Sequence, residues 1–360
     1  MHLMPTALAR HRDALVACHV TTNGKNKYIM RMINALLSLA MLAVQSAALA
    51  QSNPQASRPA DDYPQKPVRV IVGFSTGGGP DVVARVIALK LGEAFGQQFI
   101  VENRLGAGGN IAAELVAKAP PDGLVLLVAD IPTLAINAHL YSSLPFNTLR
   151  DLTPVSLGAL IPMWLVVHPS VPANSIPELV ALAKSRPVML PYASAGSGTI
   201  IHIAMENFKS QTGANFLHIP FKGAGQSAPA LLSGEVSLGF VGFSTTSQAI
   251  KAGRLRVLAV STGKRSALTP EVPTIAESGV PGFDMAAVIG LLAPGDTPND
   301  IVARLNRAVS AGIRSRDAIE RFAGLGMEPQ GGSPEQFSEF LRADYARFGR
   351  LIKEIGLRLD

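Results

Sequence analysis

The chain has 360 residues, 48% of them hydrophobic and 16% charged, with one cysteine and a formal net charge of +6. Residues 1–50 hold five Lys/Arg (Arg10, Arg12, Lys25, Lys27, Arg31) against Asp13, a net +4, so only +2 remains for the rest and nothing argues for a nucleic-acid partner. Cys18, the only cysteine, lies in the same stretch, which excludes a disulfide framework and a cysteine metal ligand from residue 51 onward.

The first fifty residues read as a secretory leader. Lys25, Lys27 and Arg31 form a basic region, Ile33 to Ala48 an apolar one, and Ala48-Leu49-Ala50 a cleavage site. The apolar run is too short and too rich in small residues for a membrane span. A leader beginning at Met30 or Met32 has a more ordinary length than one beginning at Met1, so Met30 or Met32 is the expected start. Residues 51–62, rich in Pro, Ser and Gln, read as a flexible mature N-terminus.

Short apolar runs alternating with helical patterns then predict an α/β fold with parallel sheets and crossover helices. Strands are expected at Val68–Phe74, Phe99–Val101, Leu124–Ala129, Met163–His168, Val188–Tyr192, Phe216–Ile219, Leu238–Phe243, Arg256–Ser261 and Ala286–Leu292. Ser175 with Glu178 and Ser333 with Gln336 read as capping boxes, and Pro298 as a first helical residue. The last helix, about Pro334 to Glu354, should bury Phe337, Phe340, Leu341, Tyr345, Phe348 and Leu351, leaving Arg342, Arg347, Arg350 and Lys353 in water. The chain is expected to leave a first domain (63–162) near Leu160–His168 and return to it (286–360) near Phe283–Leu292. A second domain (163–285) would lie between, with a ligand cleft at the hinge.

The most informative stretch is the strand–glycine–helix passage from Val68 to Leu91. Gly77, Gly78 and Gly79 let backbone approach a ligand, and the helix start behind them offers unpaired N–H groups to an anion. Gly79 and Pro80 occupy the places where a phosphate loop needs Lys and Ser/Thr, so nucleotide binding is not expected. Gly73-Phe74-Ser75-Thr76-Gly77 matches a nucleophile elbow. It stands on the first strand with no suitably late histidine, so a secreted serine hydrolase using Ser75 is kept only as an alternative. Asp81 in the first helical turn either stabilises the helix dipole or receives an ammonium group.

A second glycine loop, Asn103 to Asn110, reads equally as a ligand loop or a tight turn. A third, Ser194-Ala195-Gly196-Ser197-Gly198-Thr199 before a helix carrying His202, could clamp a carboxylate through hydroxyls and amides, although Thr199 or Ser197 could also simply cap the helix. Lys222, after Phe221, could neutralise an anion or point into water. The histidines show no metal-ligand spacing, and His168 and His218 on apolar strands suit satisfied core positions. Neither a metal nor a cofactor is expected.

Together these segments resemble the solute-binding receptors of tripartite tricarboxylate transporters, also called Bug receptors. The pieces are YPQKPVRVIVGFSTGGGPDVVAR, VENRLGAGGNIAAELVAKAPPDG, LVVHPSVPANSIPELVALAK, YASAGSGTIIH, HIPFKGAG, and IKAGRLRVLAVST followed by EVPTIAESGVPGF, covering Tyr63 to about Gly356. The resemblance implies a monomeric periplasmic binding protein of two α/β domains that closes on a small mono- or dicarboxylate and delivers it to membrane permease subunits. A sensing receptor without its own permease is the variant reading. It implies binding without catalysis, through Ser75, Thr76, Gly77, Gly78, Gly79, Asp81, Thr133, Ser194, Ala195, Gly196, Ser197, Thr199, His202, Phe221 and Lys222. Pro80 replaces a Thr or Ser common in such receptors. Ser237 and Val241 stand where members often carry Asp, which implies a less polar pocket and favours plain or aromatic carboxylates over amino acids.

Overall fold

The computed structural model describes residues 63–359; the expected leader and the start of the mature chain lie outside them. Among the described residues the strands form two sheets. The first contains β1 (Val68–Val72), β2 (Phe99–Asn103), β3 (Val125–Asp130), β4 (Leu152–Ile161), β10 (Ala287–Pro294) and β11 (Glu328–Gly331), in the order β11-β4-β10-β3-β1-β2. The second contains β5 (Met163–Val167), β6 (Leu190–Ser194), β7 (Phe216–Pro220), β8 (Leu238–Gly242) and β9 (Arg256–Val260), in the order β7-β6-β8-β5-β9. Helices follow most strands: α1 (Gly79–Phe95), α2 (Asn110–Ala117), α3 (Ile131–Leu140), α4 (Ile176–Ser185), α5 (Ile200–Thr212), α6 (Ala224–Ser233), α7 (Phe243–Lys251), α8 (Asn299–Gly312), α9 (Arg316–Gly324) and α10 (Pro334–Ile355).

Strand alternation builds a core on both faces of each sheet. In β1, Val68, Val70 and Val72 enter the cluster under α1 and α8, while Ile71 enters the opposite one with Ala112 and Phe337. In β5, Met163, Leu165 and Val167 face one cluster of the second sheet and Trp164 and Val166 the other. The runs read as continuously apolar because both faces are covered. Helix α1 buries Val83, Ala84, Ile87 and Leu91 at helical spacing and stops at Gly96, whose left-handed φ of 66° suits glycine.

The sheets are mixed rather than parallel. β10 runs antiparallel to β3 and β4, β11 antiparallel to β4, and β5 antiparallel to β8 and β9. β4 was not expected from sequence, because Pro154 and Gly158 break its pattern and two register shifts interrupt its pairing with β10. β11, Glu-Pro-Gln-Gly, is too short and polar to show. β6 begins two residues later than predicted, since Val188 is 76% exposed.

The chain passes between the sheets at Pro162 and again between β9 and β10. Ser261 ties the two passages together: its N–H donates to Met163 O, its hydroxyl accepts from Met163 N and donates to Met285 O. The Ser333–Gln336 capping box is complete, whereas Glu178 turns to Asn174 N and leaves Ser175 only half a box. Pro298 is the N-cap of α8, one position outside the helix. Helix α10 packs Phe337 and Leu341 with the first sheet but Phe348 and Ile352 with the second. Arg347 is no free surface cation: it donates to Asp284 O, pairs with Asp344 and lies over the Phe348 ring.

Gly290 in β10 exists where it does because of α10. A Cβ there would stand 2.6 Å from Phe337 Cζ and 3.1 Å from Ile131 Cδ1. Gly290→Ala should therefore cost about 1–3 kcal/mol of unfolding free energy in urea titration. The cost should shrink in a Phe337→Leu background, and additive losses would show that this contact is not the cause.

Candidate functional site

A cavity of about 110 Å³ lies between the two sheets. Its lining comes from turns at the carboxyl ends of strands, where helices begin. Gly78 and Gly79 open α1, Asp130 caps α3, Thr199, Ile200 and Ile201 open α5, Gly223 caps α6 and Gly242 caps α7. The first amides of a helix lack intrahelical acceptors and sit at the positive end of its dipole, so a cavity ringed by such ends suits an anion. The remaining wall is apolar, with Phe74, Ile161, Met163, Ala287, Ile289 and Met327. Dry walls strengthen each hydrogen bond that is made.

Elsewhere, between α1 and β2, a shallow trough of about 1170 Å³ is lined by Arg85, Leu89, Gln97 and Ile100. It lies along the outer edge of the first sheet and includes none of the glycine loops. Size does not make it the better site.

Of the residues predicted to bind, Ser75, Gly78, Gly79, Ala195 and Thr199 line the cavity. Others shape its loops. Asp81 is buried and fully engaged: Arg85 grips it with two N–H donors at 2.9 and 3.0 Å, Gly77 N donates at 2.9 Å and Asn103 Nδ2 at 2.9 Å. Burial opposes ionisation, but these donors outweigh it and hold the carboxyl below its ordinary value. Asp81 therefore fixes the first glycine loop rather than meeting a ligand ammonium. Asn103 also donates to Phe74 O, and Thr76 donates to Asn103 Oδ1. The second glycine loop packs beneath, with a Cβ on Gly73 meeting Gly109 Cα at 2.6 Å, which is the tight-turn reading.

The third loop rests on a buried polar stack. Gly198 N donates to His202 Nδ1 at 3.1 Å, Gly196 N to Ser194 Oγ at 3.1 Å, and Ser194 Oγ meets His218 Nε2 at 2.6 Å. His202 and His218 stack with centroids 4.0 Å apart, and Tyr192 stacks on His218 at 4.8 Å while donating to Glu206. Thr199 Oγ1 donates to Gly196 O, and Ser197 is half-buried on the loop. His202 is thus a support under the loop, not a cavity wall. Phe221 packs in the core beside Trp164, Lys222 is exposed, and their neighbour Gly223 reaches the cavity instead. Ser237 immediately precedes β8 and Val241 packs, partly buried, against a core cluster; neither lines the cavity.

Thr133 crosses between the sheets. Its Oγ1 accepts from Ile200 N at 3.2 Å and donates to Asp130 Oδ2 at 2.5 Å. Sequence reasoning missed Asp130, Gly223, Gly242 and the apolar wall. Gly223 and Gly242 each follow a strand and precede a helix, the same signal that marked Gly78; Asp130 carries no such local signal.

Two mixed α/β sheets joined by paired crossovers, with helix starts converging on a cavity between them, define a solute-binding protein of the periplasmic type. The chain belongs to the tripartite tricarboxylate transporter receptor family, whose sequence description matches residues 83–357. It is 35% identical over 320 residues to BugT of Bordetella pertussis, covering 89% of this chain and 98% of that one. A protein from a Pseudomonas intergenic region is 36% identical over 321 residues, covering 89% of this chain and 95% of the other. Among solved structures, an adipate-bound protein of R. palustris superposes with a TM-score of 0.78 at 36% identity, covering 82% of this chain and 99% of its own. MatC of Rhodopseudomonas palustris with bound malate gives 0.75 at 31% identity, covering 81% and 100%.

Burial, aided by their mutual repulsion, lowers His202 to about 4, and burial lowers His218 to about 4, from an ordinary 6.5. Between pH 6.5 and 4 the unfolded chain binds protons at these sites that the folded chain refuses, so stability falls as pH falls through that window. Asp130, raised from 3.8 to about 7, acts in the opposite sense over much of the range, which makes the informative quantity a difference. Urea unfolding of His202→Gln should show a weaker loss toward pH 4 than the wild type. Parallel curves would mean that the stacked pair is already charged in the fold.

Proposed function

We propose that the chain is exported by its leader, cleaved after Ala50, and captures a small carboxylate in the periplasm for the permease subunits of a tripartite tricarboxylate transporter, acting as a monomer and without catalysis. Residues 63–162 with 286–360 form one lobe and 163–285 the other, closing about the Ser261-tied passages. The amides of Gly79 from one lobe and of Ala195 and Ile201 from the other hold the acid, with Ser75 as a hydroxyl donor, while Gly78 and Thr199 shape the rim. Thr76, Gly77, Asp81, Ser194, Gly196, Ser197 and His202 hold the loops.

The observation that carries this reading is the convergence of helix starts from both sheets on one largely apolar cavity. Relatives bound to adipate and malate support it. Charge-assisted hydrogen bonds contribute about 1.5–3 kcal/mol each, so a few amides suffice for micromolar affinity. The serine–histidine hydrogen bonds are those of Ser194 with His218 and Ser170 with His168 and do not involve the elbow-like Ser75, which gives the hydrolase reading no support.

Native mass spectrometry of protein purified without denaturation should reveal a co-purifying small acid. Gly78→Leu, which places a side chain in the cavity, should lower affinity for that acid by about 100-fold or more, roughly 3 kcal/mol, while leaving the circular dichroism spectrum unchanged. Unaltered affinity in a folded Gly78→Leu protein would place the ligand elsewhere.

A further inference from the structure

The cavity that would receive the carboxylate also contains an acid. Asp130 lines it while only 4% exposed. The proton positions around Asp130 follow from its neighbours. Ile200 N–H donates to Thr133 Oγ1, so the Thr133 hydroxyl hydrogen is turned to Asp130 Oδ2, and Val288 N–H approaches Oδ1 at 3.3 Å. Both carboxyl oxygens therefore already accept, which is the environment of a carboxylate. Such a group has about four acceptor sites and no hydrogen to give. Two are filled by protein donors, and the residue itself lines the cavity.

A ligand whose first carboxylate lies on the glycine loops cannot easily bring a second one to this wall. Two ionised carboxylates in a dry space repel strongly, and in that state neither can donate to the other. A donor placed there would instead complete the acceptors of Asp130. Burial pushes the Asp130 carboxyl up to about 7, against the pull of Thr133 and Val288, and this is the kind of unmet demand that a ligand donor answers. The wall next to it, Ile289 and Ala287, offers nothing that could neutralise a second acid.

We propose that Asp130 determines specificity in this cavity, selecting a carboxylate that carries a hydrogen-bond donor, a hydroxyl or an ammonium group, where a dicarboxylate carries its second acid. This rests on the carboxylate reading above and narrows it. It also reverses the expectation that an acid-poor β8 leaves the pocket without polar discrimination, because the acid comes from β3.

The test is calorimetric titration of wild type and Asp130→Asn with acids of four to six carbons, each as the plain monocarboxylate, the ω-hydroxy acid, the ω-amino acid and the dicarboxylate. Wild type should bind at least one donor-bearing acid about tenfold more tightly than the dicarboxylate of equal length, and Asp130→Asn should erase or invert that ratio. Asp130→Ser, smaller and uncharged, serves the same comparison if the Asn variant does not fold. A wild-type preference for dicarboxylates, or a ratio unchanged in the folded variants, overturns the proposal while leaving carboxylate capture standing. Binding of none of these acids by the wild type would remove the carboxylate reading, and this inference with it.

Discussion

Everything at the candidate site follows from one constraint of α/β architecture: a helix that follows a strand must begin at that strand's carboxyl end. Each such turn delivers unpaired amides and a positive dipole end to the same edge of its sheet. Here two sheets present those edges to each other, so α1 and α3 meet α5, α6 and α7 across a small apolar space. No basic side chain is needed in the lining, and the near-neutral balance of residues 51–360 is compatible with anion recognition for that reason. The protein's cations are spent elsewhere, as with Arg85 on Asp81 and Arg347 on Asp344.

Strands with β-branched runs covered on both faces were legible because their burial is written directly in residue type: β1, β3, β5 and β8 are examples. The glycine loop before α1 was legible because three adjacent glycines before an amphipathic helix have few other uses. β4 was not, since Pro154 and Gly158 interrupt a strand that long-range pairing with β10 and β11 restores. Side-chain roles were the least legible part. Asp81 and His202 carry chemistry that suits a ligand, yet each is consumed in holding a backbone amide four residues earlier, Gly77 and Gly198, with Arg85 and the distant Asn103 completing the set around Asp81. Asp130, one residue past the expected strand Leu124–Ala129, carries no local pattern that marks a ligand. Only the packing of β10 and α5 against it gives it an inward face.

The contacts that shape the site also cross it. Ile200 N meets Thr133 Oγ1, and Gly223 lies so near Ser75 that a Cβ would come within 2.9 Å of its hydroxyl. Loop geometry on one sheet is thus partly set by the other. The stacked Tyr192, His218 and His202 give the third loop a rigid, uncharged floor, so its amides are aimed without a nearby cation competing for the same anion.

Helix α10 gives this receptor a mechanical character of its own. A 22-residue rod has its first half embedded with one sheet and its second half with the other, and its Arg347 donates to Asp284 O in the second passage. Jaws fastened in this way do not swing freely. Parting the two sheets would draw Phe348 or Phe337 partly into water, and that penalty resists their separation.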